Sequence, residues 1–232
     1  MNIKFLKLKY KKDFYLKDMK NMILESKEEL NKLKLGVPLH KILGYIEMTD
    51  VKIYVNKDVL IPRYETEELV LLASKYIDSN KKVLDLCSGS GYIALAIKKM
   101  TNANVYASDI SKESIEQIKI NAKRNKLDIK IFQSDLFNNI NEKFDLIISN
   151  PPYIPKNNKL DKSVTLYEPS ISLFGGEDGN EFYKKICNQY KKFLNKNGKI
   201  FFEISEDNVE YLITQKFKII NDINGKKRFA YK

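Results

Sequence analysis

Val83-Leu84-Asp85-Leu86-Cys87-Ser88-Gly89-Ser90-Gly91 runs a short apolar strand into a glycine-bearing turn, and residues 91–100 continue it at helical spacing. Glycines here let the backbone turn tightly and approach a ligand closely. The turn is not a P-loop, because no Gly-Lys-Ser/Thr follows, and it departs from the dinucleotide fingerprint. Cys87 stands where that fingerprint has its first glycine, and no third glycine follows Gly91 at the required spacing. The next strand, residues 104–108, ends at Asp109, and Ser111 opens a helix to about residue 124 as a good N-cap. Strands at 129–132 and 144–149, a helix over 179–194 ending at Asn197-Gly198, and strands at 199–204, 217–220 and 228–231 complete the pattern. Apolar strands alternating with helices predict a mostly parallel, twisted α/β sheet with helices on both faces. Ligands of such sheets sit beyond the carboxyl ends of the strands. An acid at Asp109 can accept two hydrogen bonds from ribose hydroxyls, which the glycines' position favours over a bare helix-dipole role. The long loop at 153–177 is of a length that usually carries function.

Upstream of this unit, residues 10–34 carry apolar positions at helical spacing, with Gly36 as C-cap. Tyr45–Met48 and Val51–Val55 alternate around Thr49-Asp50, a hairpin signal, and a helix spans about 65–77. The expected organisation is a helical lobe over 1–36, a hairpin connector over 37–64 and a main domain over 65–232. The chain has 232 residues and a formal net charge of +11, from 41 Lys+Arg against 30 Asp+Glu. Only Arg63, Arg124 and Arg228 are arginines. A Lys-dominated excess fits a solvated surface rather better than a nucleic-acid face, which exploits the arginine fork. No stretch approaches the roughly 18 apolar residues of a membrane span, and the N-terminus lacks signal-peptide features. Two cysteines make no disulfide framework, and one histidine makes His-centred or zinc chemistry improbable. These observations predict a reduced, cytoplasmic, metal-free protein, and it is expected to act as a monomer.

Asp145-Leu146-Ile147-Ile148-Ser149-Asn150-Pro151-Pro152-Tyr153 runs a buried strand straight into a stiff turn. Two prolines fix φ and remove two donors. The Asn150 side-chain oxygen and the Pro151 carbonyl can then converge on one point. Two converging acceptors suit a planar NH2 group whose lone pair is delocalised. Accepting both N–H protons orients the nitrogen and stabilises the positive charge that grows on it during attack. The Tyr153 ring can pack on the planar group.

The glycine turn, Asp109 and Asn-Pro-Pro-Tyr together resemble a class I S-adenosylmethionine-dependent amino-methyltransferase, whose fold is Rossmann-like. Further segments are similar to the HemK/PrmC family. They are Gly36-Val37-Pro38-Leu39, Ile42-Leu43-Gly44, Leu60-Ile61-Pro62-Arg63-Tyr64-Glu65-Thr66-Glu67, Tyr167-Glu168-Pro169 and Phe174-Gly175-Gly176-Glu177-Asp178-Gly179. Tyr64 replaces a usual proline, and only 35 residues precede Gly36 where the family has a longer bundle, so release-factor docking is expected to be reduced or different. The resemblance implies methyl transfer from S-adenosylmethionine to the side-chain amide of the glutamine in the Gly-Gly-Gln motif of class I peptide-chain release factors. It implies that Cys87, Ser88, Gly89, Ser90 and Gly91 hold the methionine part, Asp109 the ribose, and that Leu136 borders the adenine. It implies that Asn150, Pro151, Pro152 and Tyr153 hold the substrate glutamine, with Asn150, Pro151 and Tyr153 catalytic and Asn150 also touching the cofactor. Residues 63–67 are implied to lie near the methionine end.

Two rivals stand beside this reading. An N(6)-adenine or guanine amino-methyltransferase of DNA or RNA would meet the same planar amine, but base flipping usually needs a sizeable recognition region, and none is visible. Direct nucleic-acid binding is therefore not expected. A cofactor-binding scaffold without activity would have no use for the Asn-Pro-Pro-Tyr turn. Cys87 reads as a small packing residue, Cys187 as core and His40 as surface or cap. Glu168 and Asp178 read equally as substrate contacts or solvated loop.

Overall fold

The computed structural model describes residues 27–232. The first elements are α1 (Lys27–Lys34) and α2 (Leu39–Leu43). Between them Gly36 takes φ +85°, and the Val37 amide donates to the Lys32 carbonyl, which closes α1 as expected. The remainder of the helical expectation over 10–34 lies outside the described residues.

Strands β1 (Tyr45–Met48) and β2 (Val51–Tyr54) form the hairpin, with Met48 paired to Val51. Thr49 and Asp50 both take positive φ (47° and 57°), the twist a two-residue hairpin loop demands. Ile46, Met48, Val51 and Ile53 are buried on its inner side. Then come α3 (Tyr64–Ser74), β3 (Lys82–Leu86), α4 (Tyr92–Thr101), β4 (Asn104–Asp109), α5 (Lys112–Asn125), β5 (Lys130–Gln133) and β6 (Phe144–Ser149). The hairpin is bolted onto α5 by its side-chain amides. Asn125 and Asn121 each both donate to and accept from a β2 backbone residue, Lys52 and Tyr54 respectively, at 2.8–3.0 Å.

After the long loop, with one helical turn α6 (Lys162–Thr165), follow α7 (Glu181–Cys187), β7 (Leu194–Glu203), α8 (Val209–Thr214), β8 (Lys218–Asn221) and β9 (Lys227–Tyr231). The large sheet has seven strands in the order β5-β4-β3-β6-β7-β9-β8. The first five run parallel, and β9 is antiparallel to both β7 and β8. Strand order reverses between β3 and β6, so a crevice opens beyond their carboxyl ends. Alternation sorts the core. Val83, Val105, Leu146, Ile148 and Phe201 pack with α3, α4 and the hairpin on one face. Leu84, Leu86, Tyr106, Ile147 and Phe202 pack with α7 and α8 on the other. Each such side chain contributes on the order of 1.5–3 kcal/mol by leaving water.

The expected helix over 179–194 is a helix to Cys187, a 3₁₀ turn at Tyr190–Phe193, and then the start of β7. Asn197, at φ +65°, and Gly198 lie within β7, where the pairing with β6 shifts register between Phe144 and Leu146. The Asn-Gly pair therefore marks an irregularity inside a strand, not a helix end. Among the described residues no helix is long and apolar enough to cross a membrane.

Candidate active site

Residues 87–91, between β3 and α4, turn in the left-handed region at three points: Cys87 (φ 62°), Gly89 (φ 53°) and Gly91 (φ 84°). Cys87 thus occupies a glycine-like backbone position, and a left-handed non-glycine residue costs roughly 1–2 kcal/mol. A Cβ on Gly91 would sit 3.1 Å from the Ile118 side chain, so this glycine lets α4 start tight against α5. Gly91 has no side chain to cap α4. The Asp85 carboxylate takes that role from the strand and accepts from the Ala94 amide at 3.0 Å.

Asp109, at the end of β4, accepts from the Gly89 amide (2.8 Å) with one oxygen and from the Ser111 amide (2.9 Å) with the other. Burial raises the Asp109 carboxyl's pKa, opposed by the Ser111 and Gly89 amides, the Ser114 side chain and the Ile110 amide. On the next strand Ser149 donates to the Leu86 carbonyl at 2.6 Å, and the chain turns at Asn150-Pro151-Pro152-Tyr153.

These segments surround one cleft. Cys87, Ser88, Gly89, Ser90, Asp109, Leu136, Asn150 and Pro152 all line it. Gly91, Pro151 and Tyr153 do not, and Tyr153 instead reaches Glu203. Leu136 is left-handed too, at φ 47°, a strained conformation for a bulky residue. The opposite wall comes from Leu60, Pro62 and Thr66, and from Ile171 and Ser172 of the long loop.

Residues 68–167 match the family model described as Methyltransferase small domain. A protein named release factor glutamine methyltransferase from Lactococcus lactis is 40% identical over 214 residues, covering 87% of this chain and 79% of the relative. One of the same name from Bacillus cereus is 34% identical over 248 residues, covering 97% and 88%. The chain belongs to the release factor glutamine methyltransferase family. Among solved structures, a methyltransferase from Pyrococcus furiosus superposes with a TM-score of 0.60 at 17% identity, covering 89% of this chain and 97% of that one. The ribosomal protein L11 methylase of Lactobacillus delbrueckii gives 0.56 at 23%, covering 75% and 80%. Both carry the fold predicted from the strand–helix alternation.

In this glutamine methyltransferase several groups around the cleft escape motif reading. Glu203 ends β7 at 1% exposure and accepts from the Thr66 hydroxyl at 2.7 Å. Burial pushes its pKa up to about 7, with the Thr66 bond opposing. The sequence signal was a lone acid closing an apolar strand, Phe201-Phe202-Glu203-Ile204. Glu168, left open between substrate contact and solvated loop, is 6% exposed. It accepts from the Ile61 amide (3.0 Å) and from Arg63 (2.6 Å), tying the 60–66 segment to the long loop. Of residues 63–67, only Thr66 lines the cleft, and Arg63 is spent on that tie. Asp178 is an exposed partner of Lys184 and the Asn180 amide. His40 sits half-buried, with Nδ1 3.2 Å from the Tyr45 carbonyl oxygen.

The glycines of Phe174–Gly179 brace the Asn-Pro-Pro-Tyr turn. A Cβ on Gly175 would lie 2.6 Å from the Pro152 carbonyl oxygen and 2.9 Å from the Tyr153 Cα. One on Gly179 would strike the Tyr153 carbonyl. Burial pushes the Cys87 thiol far up, so it stays a thiol.

Proposed function

We propose that this cleft binds S-adenosylmethionine and presents the side-chain amide of a release-factor Gly-Gly-Gln glutamine to it for N-methylation. One observation carries the reading: the Asn150 turn opens on the same cleft as the glycine turn and Asp109, in a chain of this family. Bound S-adenosylmethionine supplies an electrophilic methyl group on a sulfonium whose leaving group is a neutral thioether.

The residues present fit that group. Asp109, a carboxylate that only accepts, lines the cleft and suits ribose hydroxyls. Ser108 Oγ, a buried polar atom of a residue lining the cleft, has no protein partner, and a polar ligand or its waters would satisfy it. Ile110, at 48% exposure, and Leu136 give the cleft apolar surface suited to the adenine. Cys87 to Gly91 would hold the methionine part.

The Asn150 side-chain oxygen accepts one N–H proton of the glutamine amide in the cleft, and the Pro151 carbonyl, from a residue outside the cleft lining, would take the second. They point its nitrogen along the direction of attack and stabilise the charge that develops there. Pro152 completes that wall, and Tyr153, outside the cleft lining, backs it through its contact with Glu203. The methylated nitrogen is acidic and releases its proton to water, so no dedicated base is needed. The domain over 65–232, preceded by the hairpin connector of residues 37–64, carries out this reaction in the cytoplasm as a monomer. The test is methyl transfer to a class I release factor, with Asn150→Ala as control. Loss of transfer with retained S-adenosylmethionine binding supports Asn150 as a holder of the substrate amide.

A further inference from the structure

Behind Asn150 the polar groups form a line with a direction. Asn150 Nδ2 lies 3.5 Å from Thr66 Oγ1. Thr66 Oγ1 lies 2.7 Å from Glu203 Oε2. Glu203 Oε1 lies 3.4 Å from the Tyr153 hydroxyl. Thr66 and Glu203 are 4% and 1% exposed, so little water competes.

An ionised carboxylate only accepts, and a hydroxyl has one proton to give. The 2.7 Å contact spends the Thr66 proton on Glu203. The Thr66 oxygen then faces Asn150 as an acceptor and selects the NH2 end of its amide. The Asn150 oxygen is left to the cleft that the residue lines. Without this order the amide has two near-isosteric orientations. The wrong one offers N–H groups to a substrate that itself presents N–H groups. Hydrogen bonds at catalytic groups are often long before substrate binds and tighten afterwards.

We propose that Glu203 is a positioning residue whose carboxylate, relayed through the Thr66 hydroxyl, fixes the Asn150 amide with its oxygen toward the substrate nitrogen, and that Tyr153 is held by the same carboxylate. This rests on Asn150 accepting from the substrate amide, as proposed for the reaction.

Protonating Glu203 removes the direction. A neutral carboxyl can donate to Thr66, whose proton is then free to turn toward the Asn150 oxygen and pull it from the cleft. Burial raises this carboxyl's pKa to about 7, with Thr66, Arg228 and Tyr153 opposing and Glu65 adding. Tyr92 and Tyr183, whose hydroxyls feel the same charge, are pushed far up and stay protonated. The Tyr183 hydroxyl is engaged with the Glu203 backbone carbonyl at 2.7 Å. The relay therefore changes direction near neutral pH.

The test measures kcat for methyl transfer to a class I release factor from pH 5.5 to 9, together with the Kd for S-adenosylmethionine and the melting temperature. The proteins are the parent, Glu203→Gln, Thr66→Val, Thr66→Ser and Asn150→Ala. The parent should gain activity through a midpoint near pH 7. Glu203→Gln, whose amide can offer Thr66 either an oxygen or an NH2, should lose at least about five-fold in kcat at pH 8 and lose that limb. Its Kd should stay within about three-fold and its melting temperature should not fall. Thr66→Val keeps the volume and removes the relay, so kcat should drop at least about ten-fold. Thr66→Ser, which keeps the hydroxyl, should recover most of it. Parent-like kcat and pH profile in Glu203→Gln, or parent-like kcat in Thr66→Val, with Asn150→Ala inactive, would overturn the relay alone. A fully active Asn150→Ala would overturn the reading of Asn150 on which it rests. If Glu203→Gln fails to fold, the two Thr66 variants decide.

Discussion

Replacing Asp109 by asparagine keeps its size and inverts one hydrogen-bonding end. Its two oxygens receive the Gly89 and Ser111 amides at 2.8 and 2.9 Å. An asparagine must turn its NH2 toward one of them, donor against donor. The Ser111 contact is local, two residues along the chain, and yields first; the glycine turn stays attached. Loss of that bond falls mainly on folding and costs about 1 kcal/mol. Binding loses more. In the proposed ribose contact one hydroxyl would lose its acceptor, and the other would meet a neutral oxygen in place of a charged one. With hydrogen bonds to charged groups at about 1.5–3 kcal/mol, the loss in binding is about 2–4 kcal/mol. At about 1.4 kcal/mol per decade, Kd for S-adenosylmethionine should rise roughly 30- to 1000-fold. Calorimetric titration of parent and variant, with a melting curve to verify folding, measures this. A folded Asp109→Asn protein whose Kd stays within about three-fold of the parent would refute the ribose role.

Three further outcomes follow from the same geometry. Gly175→Ala drives a Cβ into the Pro152 carbonyl and Tyr153 Cα, so transfer should fall at least about ten-fold while cofactor Kd changes little; parallel kinetics and calorimetry check the split. Cys87 is left-handed, so Cys87→Gly should stay within about 1 kcal/mol of parent stability while Cys87→Val loses about 2, a contrast that denaturant melts resolve. Glu203 titrates higher folded than unfolded, so the folded state binds the extra proton between about pH 4.5 and 7. Its contribution to stability is thus present at low pH and lost as pH rises through 7. Removing the charge with Glu203→Gln should raise stability at pH 8, by at most about 3 kcal/mol, with the gain vanishing toward pH 5.

The strand–helix alternation, the hairpin and the Ser111 cap were legible because each rests on local rules: periodicity, turn chemistry and capping. Their registers agree with the chain's own pattern of apolar residues. The cleft was half legible. Cys87 to Ser90, Asp109 and Asn150 lie on strand ends that a parallel sheet must bring together. The partners of those residues were not legible. Thr66 meets Glu203 across 137 residues of sequence, and Arg63 meets Glu168 across 105. No local rule joins such pairs. The end of α7 was misjudged because Tyr190, Phe193 and Leu194 satisfy helical spacing as well as they satisfy a 3₁₀ turn running into β7. The glycines of residues 175–179 were visible as a motif, but their reason, the backbone of Pro152 and Tyr153 pressed against them, exists only in three dimensions.

The central claim is that Asn150 and its turn present a release-factor glutamine amide for methylation. The most direct measurement incubates the protein with S-adenosylmethionine and a class I release factor and reads the Gly-Gly-Gln peptide by mass spectrometry, beside the Asn150→Ala protein. The account predicts one added methyl group on that glutamine, absent with Asn150→Ala although the variant still binds S-adenosylmethionine. An unmodified glutamine with methyl groups transferred instead to RNA or DNA, or equal transfer by Asn150→Ala, would contradict it.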